Sequence, residues 1–141
     1  MFASRTSPTQ AYARIGIETG VPAADPHRLI TMLFEGALVA VASARLHMER
    51  EEVAEKGQDI SKAIDIVANG LKASLDMEGG GELAGRLAAL YDYLCMRLLY
   101  ANLKDDAAAL GEVSGLLAEL KGAWEEIAVD PAVVSRNKAA A

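Results

Sequence analysis

Between residues 26 and 127, apolar side chains recur every three or four positions, the period of helices with one buried side. The spacing predicts four of them. The first spans residues 26–51 and lines up Leu29, Leu33, Ala37, Val41 and Met48. Asp25-Pro26 marks its start, because the aspartate can accept a bond from an orphan backbone N–H and proline at the first position gives up a donor that had no partner. Gly57 breaks the pattern, and Gln58-Asp59-Ile60-Ser61 opens a second helix carrying Ile60, Ile64, Val67, Leu71 and Leu75, which Gly79-Gly80-Gly81 ends. The third aligns Leu83, Leu87, Leu90, Tyr91, Leu94 and Leu98 and stops near Asn102-Leu103-Lys104. Asp105-Asp106 then puts acid at the positive end of a fourth helix, whose stripe is Leu110, Val113, Leu117, Leu120, Trp124 and Ile127. Four amphipathic helices with short connections imply an all-α, antiparallel up-down four-helix bundle over residues 25–128. Residues 1–24 are expected to form an arm or short helix that docks through Tyr12, Ile15 and Ile17, and residues 129–141 a flexible tail.

Three of these helices carry more apolar residues than one stripe can use. Tyr93, Met96, Tyr100 and Leu103 fall on a second face of the third helix. Met32, Val39 and Leu46, spaced by seven, do the same on the first, and Ile66 and Ala73 lie off the stripe of the second. A helix that is apolar on two faces asks to be buried on two sides, and a four-helix monomer supplies one. Three arrangements meet that demand: partial cover by neighbouring helices or by the N-terminal arm, a groove that receives a partner helix, or pairing of two copies of the chain.

Composition narrows the class. The chain has 141 residues, 52% hydrophobic and 24% charged, enough for one core without disulfides or metal. Alanine is its commonest residue and aromatics amount to 5%, which favours helix over strand. The net charge of −6 argues against nucleic acid and anionic lipid as partners. Charges interrupt every apolar run before the roughly 18 residues a membrane span needs, and residues 1–8 hold no signal-peptide core, so a cytoplasmic protein without membrane insertion is expected. Cys95, alone in the sequence, fits a reducing compartment and a core position.

Catalytic chemistry finds little support. No Glu-x-x-His pair of the di-iron kind occurs, since Ala24 and Ala44 precede His27 and His47 by three, and no metal or other cofactor is expected. His27 and His47 read as surface residues, His47 with Glu49 and Glu51 for company. A phosphotransfer histidine would need a basic and small neighbourhood rather than Met48-Glu49-Arg50. The triple glycine has no strand before it and no Lys-Ser or Lys-Thr after it, so it reads as a connector, not a phosphate loop. Cys95 lacks a histidine or basic cluster to activate it.

The run Asp25-Pro26-His27-Arg28-Leu29-Ile30-Thr31-Met32-Leu33-Phe34-Glu35-Gly36-Ala37 resembles the Ser-Pro-x-x-Leu-Ile-x-Met-Leu-Tyr/Phe-Asp-Gly-Ala opening of the flagellar secretion chaperone FliS family. Aspartate stands for the family's serine, and either can cap. Lys62-Ala63-Ile64-Asp65-Ile66-Val67, Leu75-Asp76, Glu82-Leu83-Ala84, Leu90-Tyr91-Asp92-Tyr93-Leu94, Ala101-Asn102, Leu116-Leu117 and Ala123-Trp124 follow in the family's order. The resemblance fades in residues 1–10 and after about Ile127. It implies a cytosolic export chaperone, not an enzyme, that binds the C-terminal segment of flagellin, prevents early polymerisation and assists delivery to the type III export apparatus, whose gate component is a second candidate partner. A homodimer is the competing use of the apolar faces. The family's N-terminal tyrosine maps onto Tyr12 within Ala11-Tyr12-Ala13-Arg14-Ile15, and the resemblance implies that this arm rests on the bundle and yields to the client. Combined with the second faces, it nominates Tyr12, Ile15, Met32, Val39, Leu46, Ile66, Tyr93, Met96, Tyr100 and Leu103 as partner-binding residues.

Overall fold

The computed structural model describes residues 25–128, so the expectations for residues 1–24, with Tyr12 and Ile15, and for residues 129–141 lie outside the described residues. Four helices follow in order: α1 (Pro26–Glu49), α2 (Val53–Asp65), α3 (Gly81–Lys104) and α4 (Ala107–Ala128). The Asp25 carboxylate accepts the backbone N–H of Arg28 at 3.0 Å, with Pro26 opening α1, as the sequence predicts. Asp106 caps α4 by accepting from the Ala109 N–H at 3.2 Å. No strand occurs among the described residues. Helix α1 packs on α2 and α4, and α3 packs on the same two, while α1 and α3 make no close backbone approach. They occupy opposite corners of the bundle.

The shared interior holds Leu33, Phe34 and Val41 of α1, Ile60 and Val67 of the α2 arm, Leu94 and Leu98 of α3, and Leu110, Val113 and Leu117 of α4. Each fully covered large side chain contributes about 1.5–3 kcal/mol. Alanines complete the seams: Ala37, Ala40 and Ala44 are buried on α1, as are Ala63, Ala101 and Ala109 on the others. Small residues at these positions let the helix axes approach, because interaxial distance follows the size of the contacting side chains.

Several boundaries differ from the sequence reading. Helix α1 stops at Glu49, with Arg50 as its cap and Glu51 in the left-handed region at φ 58°. Helix α2 begins at Val53 and runs straight through Gly57, which sits beside open space. The cost of about 1 kcal/mol for one helical glycine is outweighed by the anchoring of Lys56 in the preceding position. Its aliphatic stem is buried and its Nζ donates to the Asn102 carbonyl at 3.1 Å and to the Asp105 carboxylate. This clasp ties the start of α2 to the α3–α4 turn, where Asp105 adopts φ 50° as the α3 cap.

Helix α2 also ends differently. After Asp65 the chain passes through a π-helical turn, Ile66–Leu71, and a 3-10 turn, Lys72–Ser74, before Leu75 becomes extended. Ser74 Oγ donates to the Gly70 carbonyl at 2.7 Å, a back-bond that helps hold the altered winding. On α3, Leu83 is exposed rather than part of the core stripe, Leu87 and Leu90 are half-buried, and Ala84 and Ala88 take buried places beside Tyr91, Leu94 and Leu98. On α4, Ile127 is likewise exposed. The interior opens at this end, so the stripes there meet air rather than each other.

His27 and Trp124 fasten the same end. Their rings stack with centroids 4.5 Å apart and planes 6° from parallel. His27 Nε2 donates to the Trp124 carbonyl at 2.8 Å, and Trp124 Nε1 donates to the His27 carbonyl at 3.0 Å. The expectation of a plain surface histidine is corrected: the ring joins the first turn of α1 to the last turns of α4.

Lys56→Met keeps the buried stem and deletes both bonds. It should lower unfolding free energy by about 1–3 kcal/mol, the range for losing hydrogen bonds made by a charged group, and urea titration should show a lower midpoint at unchanged slope.

Candidate binding surfaces

Helical periodicity places Met96, Leu99, Tyr100 and Leu103 of α3 on the side turned away from the interior, at positions i, i+3, i+4 and i+7. They are 60, 53, 43 and 80% exposed. Leu99 is the residue the sequence reading missed. Its signal in the sequence is its place at i+3 from Met96 and i−4 from Leu103.

Charged residues stand around this stripe. At its N-terminal end Asp92, one turn before Met96, accepts from Lys72 Nζ at 2.7 Å, and exposed Lys104 follows Leu103 at its other end. On the α4 side, the Glu112 carboxylate accepts from the Tyr93 hydroxyl at 2.6 Å and from Arg97 Nε at 2.7 Å. The Arg97 guanidinium lies 4.8 Å above the Tyr100 ring. The hydrogen bond from Tyr93, then that from Arg97, holds the Glu112 carboxyl below its ordinary value. The same bond to Glu112, ahead of burial, raises the Tyr93 phenol, and Glu112 likewise raises the Arg97 guanidinium. Tyr93 is half-buried and packs on the core with its hydroxyl committed to α4, so it borders the stripe rather than joining it.

The other nominated residues stand at the opposite corner. Val39 and Leu46 are exposed on the outside of α1, and Met32 is half-buried beside them. Ile66 packs partly on the core, with its Cδ1 3.4 Å from the space a Cβ at Gly36 would fill. Because α1 and α3 are diagonal, the nominated residues form two separate faces, not one groove. The second face also makes α1 long and apolar enough to cross a membrane by length and composition, but Arg28, Glu35 and Arg45 interrupt it and nearly half of that window is buried in the bundle.

A third apolar feature, absent from the sequence reading, is a cavity of about 370 Å³ at the open end. Phe34, Leu71, Leu87, Tyr91, Leu120 and Trp124 line it, with Leu83 and Ile127 also on its walls. Burial pushes the Tyr91 phenol up to about 12. The lining comes from α1, α3, α4 and the turns that follow α2, so no single sequence stripe announces it.

His47 Nδ1 lies 2.6 Å from Asp59 Oδ2, to which Ser43 Oγ also donates at 2.8 Å. This corrects the pairing of His47 with Glu49 and Glu51. Ser43 Oγ and Asp59 both meet the same ring nitrogen, Nδ1, at 3.5 and 2.6 Å, whereas nucleophilic catalysis needs the imidazole between hydroxyl and carboxylate, one on each nitrogen. Cys95 is half-buried near the Ile64 carbonyl, and burial, followed by the charge of Asp92, pushes its thiol up, away from the nucleophilic form. No group of three metal-ligating side chains occurs among the described residues.

These features define a small helical bundle whose notable surfaces are apolar and uncovered by the other described residues. The chain belongs to the family described as flagellar protein FliS, whose model matches residues 8–131. It is 52% identical over 118 residues to the flagellar secretion chaperone FliS of Salmonella typhimurium, covering 84% of this chain and 87% of that one. It is 45% identical over 126 residues to the protein of that name from Escherichia coli, covering 89% and 93%. Against the flagellar secretion chaperone FliSB of Pseudomonas aeruginosa the identity is 50% over 116 residues, covering 82% and 91%.

Two outcomes follow from the geometry. Met96→Glu should change unfolding free energy by no more than about 0.5 kcal/mol, as surface substitutions do, whereas Leu98→Glu, at a fully buried position, should abolish the folded baseline in far-UV circular dichroism. The lowered carboxyl of Glu112 makes its contribution to stability fully present above the unfolded value near 4.5 and lost as pH falls through the lower folded value. Acid titration of Glu112→Gln should therefore lack that part of the wild-type decline.

Proposed function

We propose that this protein is a cytoplasmic export chaperone that binds the C-terminal segment of flagellin, keeps the subunit from polymerising early and delivers it to the flagellar type III export apparatus. The observation that carries the proposal is the exposed helical-period stripe on α3, in a chain half-identical to a flagellar secretion chaperone. A terminal segment that is disordered before assembly can fold as an amphipathic helix onto such a surface. Ordering the segment offsets part of the contact energy, which keeps the complex reversible enough for release at an export gate. The site in this proposal comprises the α3 face, the α1 face with Met32, Val39 and Leu46, the adjoining Ile66 and Tyr93, and Tyr12 and Ile15 of the N-terminal arm. No step calls for a cofactor, and the acidic charge suits a protein client better than nucleic acid.

Titration calorimetry with the isolated flagellin C-terminal segment should give one-to-one binding. Absence of heat at tens of micromolar, roughly the weak end for a segment that folds on binding, would defeat the proposal. Tyr12→Ala should weaken the complex, and hydrogen exchange in residues 1–24 should change when flagellin is added; an arm unaffected in both measurements has no part in binding.

A further inference from the structure

Three polar side chains reach the cavity at the open end of the bundle, and two of them have their donors committed. Ser74 Oγ donates to the Gly70 carbonyl at 2.7 Å, and Trp124 Nε1 to the His27 carbonyl at 3.0 Å. Tyr91 is the third. It is 4% exposed, and its hydroxyl has no hydrogen-bond partner among the described residues. That hydroxyl is not sealed away, since Glu52 Oε1 is the only sealed side-chain polar atom without a partner among the described residues. The space it meets is the cavity that Tyr91 lines. An O–H held so far from bulk water costs free energy until an acceptor reaches it.

Charge and size select the guest. No charged side chain lines the walls, and the burial that pushes the Tyr91 phenol up to about 12 opposes an anionic guest in the same way. A carboxylate entering here meets no cation. The volume of about 370 Å³ is more than twice that of a roughly 150 Å³ apolar cavity that holds benzene. A helix about 10 Å across fills roughly 420 Å³ per turn, so the cavity takes less than one turn of a partner helix. Leu83 and Ile127, both on its walls, are 66 and 40% exposed, so the described residues leave it open to entry.

We infer that this cavity is a binding site for a small uncharged molecule, an apolar body of roughly ten heavy atoms carrying one ketone or ester carbonyl, anchored by the Tyr91 hydroxyl. The body packs against Phe34, Leu87, Leu120 and Trp124, and Tyr91 donates to the carbonyl oxygen. The site is separate from the α1 and α3 faces and does not depend on which client those faces bind.

The test uses the full chain and three probes of like size: acetophenone, ethylbenzene and benzoate. Trp124 is the only tryptophan in the sequence, so its indole N–H resonance reports directly on the cavity wall. Both neutral probes should shift it with a Kd of about 1 mM or below, ordinary for ligands of this size. Benzoate should bind about tenfold more weakly than acetophenone, or not at all. Tyr91→Phe, with far-UV circular dichroism unchanged, should weaken acetophenone by about threefold or more relative to ethylbenzene, the effect of one neutral hydrogen bond. Taking the ratio within one variant cancels any general change in packing. In the wild type, the carbonyl carbon resonance of bound acetophenone should move downfield, as it does when the oxygen accepts a hydrogen bond. No shift of the indole resonance with either neutral probe up to about five times that Kd would overturn the site, including the case in which residues 1–24 or 129–141 already fill it. Benzoate binding as tightly as acetophenone would overturn the charge selection. An unchanged ratio in Tyr91→Phe, or an upfield carbonyl shift in the wild type, would overturn Tyr91 as the anchor, and the carbonyl shift decides this even if the variant fails to fold.

Discussion

A helix at one corner of a four-helix bundle can turn only part of its circumference inward, and α1 and α3 both carry apolar residues around more of it than that. The packing satisfies the inward sets: Leu33, Phe34 and Val41 meet Leu94 and Leu98 across the same interior as Ile60 and Leu117. What is left over faces water. Since α1 and α3 are diagonal, the surplus cannot be hidden by pairing one helix with the other, and it emerges on two opposite corners. The interaction surfaces are in this sense a consequence of connectivity, with alanine-rich seams that let the helices pack closely without consuming their larger residues.

The ends of the bundle are secured by unlike means. At the α1–α2 end, a buried lysine reaches into the α3–α4 turn and takes up a carbonyl and a carboxylate. At the other, two aromatic rings stack and exchange hydrogen bonds with each other's backbone. Between the latter clasp and the wound-out end of α2, the helices diverge enough to leave the apolar cavity. The π-turn ends at Leu71, which with Leu75 forms part of the cavity wall.

On the α4 side of the α3 strip the polar groups are paired with one another. Glu112 is pulled toward its charged form by Tyr93 and Arg97, and Arg97 in turn lies over Tyr100. Each is exposed enough that it adds little to folding.

Four helices, the Asp25-Pro26 start, the glycine-rich connection and the surplus of apolar residues on two helices were determined by the sequence itself, because each depends on spacing within one segment or on the local chemistry of capping. The passage of α2 through Gly57 could not be read there, since the compensation comes from Lys56 bonding residues 46 and 49 positions away. The same holds for His47, whose partner Asp59 is on the next helix, and for His27, whose partner Trp124 is on the last. Leu83 and Ile127 kept their place in the helical period yet lost their burial, because burial depends on whether four helix ends converge. Periodicity likewise assigned Met96, Tyr100 and Leu103 to an outer face without locating it relative to Val39 and Leu46. That last relation is a matter of which corners α1 and α3 occupy, and helix-to-helix packing, not any one helix's repeat, decides it.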